Sequence, residues 1–189
     1  MVRTVRTASI AALFLLISCS PLMRTEGGPY VAARSLSELV RASDVVLVGV
    51  IEKESGTRNL ARNPRNLAQE DPNIVVIGQD YVVDVIEVLK GSAIPHSTIT
   101  VSRGRGMTAR GVKDDESWLP LVVGEQYVLF LRPLPYEPSV LALAIEPSRF
   151  RVAAQVTPES PWEQASSYFP SKDRDRFFAE LAAAIASPR

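Results

Sequence analysis

Residues 44–53 read DVVLVGVIEK. From Val45 to Ile51 the run is apolar and mostly β-branched on both parities, the pattern of a strand buried on both faces or carrying a bulge. Gly49 is the expected bulge or close-approach point, because a residue without Cβ lets another backbone come near. Immediately upstream, Ser35-Leu36-Ser37-Glu38 has capping-box spacing, with Ser35 able to accept from a backbone N–H and Glu38 reaching back. Leu36, Leu39 and Val40 then share one face of a short helix that ends near Ser43.

Downstream, residues 54–73 are polar, with Arg58, Arg62, Arg65, two prolines and Asn59, Asn63, Asn66 and Asn73, and read as a long loop, either functional or mobile. Residues 74–77 and 79–90 are β sequence closed by Gly91; Asp84 and Glu87 have opposite parity, so a bulge between them would turn both to solvent. Residues 97–102 alternate, with Ile99 and Val101 inward. Residues 125–132 (EQYVLFLR), launched from Gly124, form another densely apolar strand expected to stop at Pro133 and Pro135, and 140–145 and 150–156 complete the set. Ser171 is placed to cap a last helix through Ile185, with Phe177, Phe178, Leu181 and Ile185 near one stripe and Arg174, Glu180 and Ala183 away from it. There are too few helices between strands for a parallel α/β sheet. The expected fold is therefore mainly β: a small five- to six-stranded OB-like barrel over residues 35–160, with a short N-terminal helix, and a C-terminal helical extension over 161–189 packed on it.

Residues 1–19 read MVRTVRTASIAALFLLISC, in which Arg3 and Arg6 precede an apolar run over 8–17 broken only by Ser9. That run is about half the roughly 20 residues needed to cross a bilayer, so it reads as a secretory signal peptide. Leu16-Ile17-Ser18-Cys19 resembles the lipobox of bacterial lipoproteins. The resemblance implies cleavage after Ser18, a diacylglyceryl thioether on Cys19 and acylation of the new α-amine with a palmitate-type chain. Acyl chains at about 0.8 kcal/mol per buried methylene make desorption negligible. Residues 1–18 are then a signal peptide, 19–34 a Pro- and Gly-containing tether, and the rest an extracytoplasmic domain on the cell membrane or outer membrane.

The 189 residues are 46% hydrophobic and 22% charged, with one cysteine and one histidine, which excludes a disordered tail and a disulfide scaffold. Without Arg3 and Arg6 there remain 19 basic against 21 acidic side chains, so nothing electrostatic favours nucleic acid. With no disulfide available, the domain is expected to be a monomer held by its core alone.

Read in order, Ser43-Asp44-Val45-Val46-Leu47-Val48-Gly49, then Tyr81-x-Val83-x-Val85-x-Glu87-Val88-Leu89-Lys90-Gly91, then Ile99-Thr100-Val101, then Gly124-Glu125-x-Tyr127-Val128-Leu129-Phe130-Leu131 resemble the netrin-like, or tissue-inhibitor-of-metalloproteinases-like, domain over residues 40–135. The resemblance implies a five-stranded OB-type barrel followed by helix. It does not carry the inhibitory mechanism, which needs a free N-terminal cysteine pinned by disulfides as a zinc ligand; here Cys19 is followed by Ser20-Pro21 and is the only cysteine.

Candidate chemistry is sparse. Residues 103–109 (RGRGMTA) contain a formal G-x-G-x-x-A, but the following RGVKDD is not a helix start, so a flexible inter-strand loop is expected rather than a nucleotide cradle. His96 sits in a turn between Pro95 and Ser97, and one histidine cannot supply a zinc site or a Ser-His-Asp relay. Asp114-Asp115 reads as a surface turn, and Trp118 and Trp162 as covers for the barrel ends. No cofactor, metal or catalytic set is expected. The candidate recognition rim is Arg58, Arg62, Arg103 and Arg105, for an envelope protein or glycan; nearby acids such as Glu70, Asp71 and Glu116 offer the alternative of plainly solvated charge. On the rim reading, removing the four arginines leaves stability nearly unchanged. The expected function is a non-enzymatic binding module; a structural envelope protein without ligand, or an unrecognised hydrolase, are the alternatives.

Overall fold

The computed structural model describes residues 32–92, 95–108, 119–161 and 163–187, excepting the side chains of residues 105–108. Ser18, Cys19 and most of the tether lie outside the described residues, as do Lys113, Asp114, Asp115, Glu116, Trp118 and Trp162. The elements are α1 (Leu36–Ala42), β1 (Val45–Asn59), β2 (Arg62–Asn63), β3 (Asn66–Glu70), β4 (Val75–Lys90), β5 (Thr98–Thr108), β6 (Gln126–Leu134), β7 (Glu137–Leu143), β8 (Arg149–Val152), β9 (Gln155–Pro158), α2 (Glu163–Ser167), β10 (Lys172–Asp173) and α3 (Arg174–Ala186).

The fold is mainly β, a ring-like sheet of five long strands with a short helix before it and a helix after it. β1 pairs with β4, β4 with β5, β5 with β7, β7 with β6, and β6 again with β1. All these pairings are antiparallel except β5 with β7. This is the OB-like barrel expected from the strand order. β8 takes the place of β7 beside the first half of β6 and leads outward to β9 and β10.

The 15-residue β1 can wrap so far round the ring because its ladder to β4 is shifted at four places, including Val48/Gly49. At Gly49 a Cβ would stand 2.5 Å from Val83 Cγ1 and 2.9 Å from the Asp84 carbonyl oxygen, so the two strands approach too closely for any side chain there. The same shift skips Ile86 in β4, the bulge expected between Asp84 and Glu87. Gly91 and Gly124 turn with φ of +90° and +86°, a region L side chains avoid.

β1 is buried on both faces for a reason the pairings make plain. Val45, Leu47 and Ile51 face the ring interior with Tyr81, Val83, Val85, Val101, Leu121, Tyr127, Leu129, Leu131 and Leu141. Val46 and Val48 face outward into a second core with Leu39 and Val40 of α1, Phe130, Phe150, Phe169, and Phe177 and Leu181 of α3. Phe150 is its hub, with ring centroids 5.7 Å from Phe130, 5.5 Å from Phe169 and 5.1 Å from Phe177. α1 is capped as expected by Ser35, and Lys90 Nζ donates to the carbonyls of Val40 and Ser43 at 2.7 and 2.6 Å, a cation at the helix C-terminus. α3 is capped by Asp173, not Ser171: its carboxylate accepts from the amides of Asp175 and Arg176. Ser171 Oγ instead meets Thr157 Oγ1 at 3.2 Å.

Four further expectations are corrected. Residues 54–73 are not a long loop: β1 runs on to Asn59, and β2 and β3 form a hairpin before β4 begins. Residues 103–108 are strand, not the flexible inter-strand loop expected there. β6 continues through Pro133, tolerated because β1 pairs only as far as Leu131 and leaves that side without a partner. Finally, residues 150–156 divide into β8 and β9.

Candidate functional site

Two polar assemblies occupy opposite faces of the strands β4 and β5, and they divide the arginines expected to form one rim. On the outer face, the Arg58 guanidinium grips the Asp80 carboxylate: Nε lies 2.9 Å from Oδ1 and 2.7 Å from Oδ2, and Nη2 lies 2.7 Å from Oδ2. Its Nη1 donates to Glu137 at the start of β7. Hydrogen bonding to Asp80 raises the Arg58 pKa above its ordinary value, against a smaller opposing effect of burial. Next to it, Arg62 of β2 stacks 3.8 Å above the Tyr136 ring in the β6–β7 turn and pairs with Glu70 of β3 at 3.5 Å. These contacts clasp the base of the β2–β3 hairpin to the β6–β7 turn. Asn59 Oδ1 adds two bonds, accepting from the amides of Ala61 and Val76 at 3.0 Å each. Beyond the clasp, every residue of β3 is exposed, Leu67 to 42%.

Inside the ring, at the end covered by residues 119–122, lies a second cluster. Arg103 follows Val101 on the inward face of β5 and is 5% exposed; Arg149 of β8 is 1% exposed. Arg149 Nη1 donates to the Leu119 carbonyl at 2.6 Å and its Nε to the Glu159 carbonyl at 3.2 Å. Glu146 Oε1 approaches Arg103 Nη2 at 3.9 Å, and Glu159 approaches Arg149 Nε at 3.7 Å and Arg151 Nε at 3.2 Å. Tyr127 Oη accepts from the Val122 amide at 3.3 Å, closing residues 119–122 over the cluster. Burial, with the neighbouring Arg149 charge, pushes Arg103 down to about 10, and burial likewise lowers Arg149 and raises Tyr81 and Tyr127.

The structure thus brings Arg58 and Arg62 together and sets Arg103 on the other side of the sheet; the backbone of Arg105 lies in β5, its side chain outside the described residues. His96 sits in its expected turn with φ of 58°. Sequence reasoning passed over Asp80, Tyr136, Glu137, Glu146, Arg149 and Glu159. One signal was available: Arg149 and Arg151 flank Phe150, so once Phe150 faces a core, both arginines must share the opposite face of β8. Among the described residues, no group of three His, Cys, Asp or Glu side chains is placed to hold a metal ion, and no helix is long and apolar enough to cross a membrane. The sequence matches no protein-family model and no curated protein.

Proposed function

We propose that the chain is a non-enzymatic binding module, held by lipid on Cys19 to the extracytoplasmic side of the cell membrane or outer membrane, that takes an envelope protein or glycan on its β2–β3 hairpin. The observation that carries this is the clasped arm. A two-stranded hairpin alone is marginal in water. Here its base is fixed by Arg58, Arg62, Asp80, Tyr136 and Glu137, while β3 buries nothing and Leu67, Ile74 and Val75 stand 42%, 38% and 37% exposed. A fold that positions an arm firmly and leaves its apolar residues uncovered has the form of a presenting surface. Within this proposal Arg58 and Arg62 act as supports of the arm rather than as direct contacts. The ring order and the terminal helix support extending the netrin-like likeness to the fold, without its inhibitory chemistry.

A photo-crosslinking residue in place of Leu67, expressed in the native envelope, tests the arm. One discrete adduct, absent when the same probe replaces exposed Ile86 on the barrel wall, is the expected result. A Leu67 probe giving no adduct, or the same products as the Ile86 probe, refutes the arm as the recognition surface.

A further inference from the structure

Three buried polar atoms of the inner cluster, Arg103 Nη1, Arg149 Nη2 and Glu146 Oε2, have no hydrogen-bond partner among the described residues, and Tyr81 Oη, which the Leu121 backbone amide approaches, has an O–H still to donate. They belong to one electrostatic neighbourhood, since Arg103 interacts with Arg149, Glu146 and Tyr81, and Arg149 with Glu146 and Tyr81. Buried polar groups are almost always satisfied, so three orphans and an unused phenol donor in one cluster call for something among them. The two guanidiniums also repel each other out of water's reach, and the carboxylates beside them stop at 3.9 and 3.7 Å, beyond hydrogen-bond distance. Water would satisfy some of these atoms, but among the described residues Arg103, Arg149 and Arg151 stand against only Glu146 and Glu159, and water does not balance the positive charge left over.

The orphan groups define what fits. Two guanidinium N–H groups and a phenol can donate, and one carboxylate oxygen can only accept. Sulfate offers acceptors alone and would set a lone pair against Glu146 Oε2. A phosphate bearing a hydroxyl presents oxygens to Arg103, Arg149 and Tyr81 and its O–H to Glu146. We propose that Arg103, Arg149, Tyr81 and Glu146 form an internal binding site for phosphate, discriminated from sulfate by the carboxylate of Glu146. The site is separate from the hairpin arm and does not depend on the lipid anchor.

Thermal unfolding of the full chain in detergent tests this, with inorganic phosphate titrated at millimolar concentration and constant ionic strength and sulfate as the matched control. Phosphate is expected to raise the midpoint in proportion to the logarithm of its concentration once the site fills, and sulfate to leave it unmoved. Tyr81→Phe keeps the ring and loses only the hydroxyl with its contact to the Leu121 amide, so it is expected to fold and to bind phosphate about tenfold more weakly, the effect of one charge-assisted bond. Glu146→Gln turns an obligate acceptor into a group that can also donate, and is expected to admit sulfate. Glycerol phosphate in place of inorganic phosphate shows whether the anion enters free or on an organic group. Equal responses to phosphate and sulfate overturn the proposal, as does a Tyr81→Phe variant with the wild-type phosphate response; if Glu146→Gln fails to fold, Tyr81→Phe decides alone.

Discussion

Replacing Arg58 with Met separates a structural clasp from a solvated rim. The side chain of Arg58 is 21% exposed and that of Asp80 10%, and the substitution strips the carboxylate of its paired cation while sparing most of the aliphatic stem. Breaking a buried pair costs about 3–5 kcal/mol and breaking an exposed one about 0.2–1. With one-fifth of the Arg58 side chain in solvent, Arg58→Met should cost about 2–3 kcal/mol. Glu137, 44% exposed, lies at the wet end of the same guanidinium, so Glu137→Gln should cost less than about 1 kcal/mol. The double variant Arg58→Met, Asp80→Asn should be more stable than the sum of the singles predicts, because no unpaired carboxylate remains. Urea unfolding followed by circular dichroism gives these differences, and hydrogen exchange at residues 60–70 reports whether the hairpin loosens ahead of the barrel. An Arg58→Met cost below about 0.5 kcal/mol, or one equal to that of Glu137→Gln, would refute the clasp and restore the arginines to a free surface.

Gly49→Ala should destabilise the barrel by about 1–3 kcal/mol, since the Asp84 carbonyl that its Cβ meets at 2.9 Å is backbone and cannot swing away; chemical unfolding measures it, and Val83→Ala should rescue only part of the loss. Stability should fall as pH rises above about 10, because Tyr81, Tyr127 and Tyr136 ionise at higher pH when folded than when unfolded, so the unfolded chain releases their protons first. Phenolate absorbance should show these three appearing with unfolding rather than before it. The depressed Arg103 pKa has the opposite sign, lessening its penalty above about 10, so the net alkaline slope should be shallower than three tyrosines alone would give. Cys19→Ala should move the protein from the membrane fraction to a soluble or unprocessed pool; a cleaved variant still bound tightly to membrane would remove the lipid anchor from the account.

The barrel was legible because its strands bury both faces: the unbroken run from Val45 to Ile51 can be satisfied only by a core on each side, and it has one inside the ring and one beneath α1 and α3. The hairpin was not legible for the converse reason. β3 exposes every residue, so no alternation of apolar and polar positions marks it as strand. Arg103 was misjudged because its glycine neighbours suggest a turn, whereas Gly104 pairs with Gly78 in the β4–β5 ladder. The interior cluster joins residues from β4, β5, β6, β8 and the segments following β7 and β9. Only closure of the ring brings those together, and no spacing along the chain encodes it.

The only parallel seam of the ring has a kinetic meaning. β5 meets β7 through Thr100–Val140, Val101–Leu141 and Ser102–Ala142, partners some forty positions apart, whereas β1 and β4 run side by side from Val46 and Lys90 to Asn59 and Ile77. Contacts between distant positions come after local ones have shortened the loop between them. The barrel therefore zips from the Asn59–Ile77 end of β1–β4 and closes later, along β5–β7 and along β1–β6, whose partners lie 76 to 86 positions apart. Once closed, the short β5–β7 stave is where the cylinder should first come apart, with amides at Val140–Ala142 exchanging before those of β1; slower exchange there would overturn this.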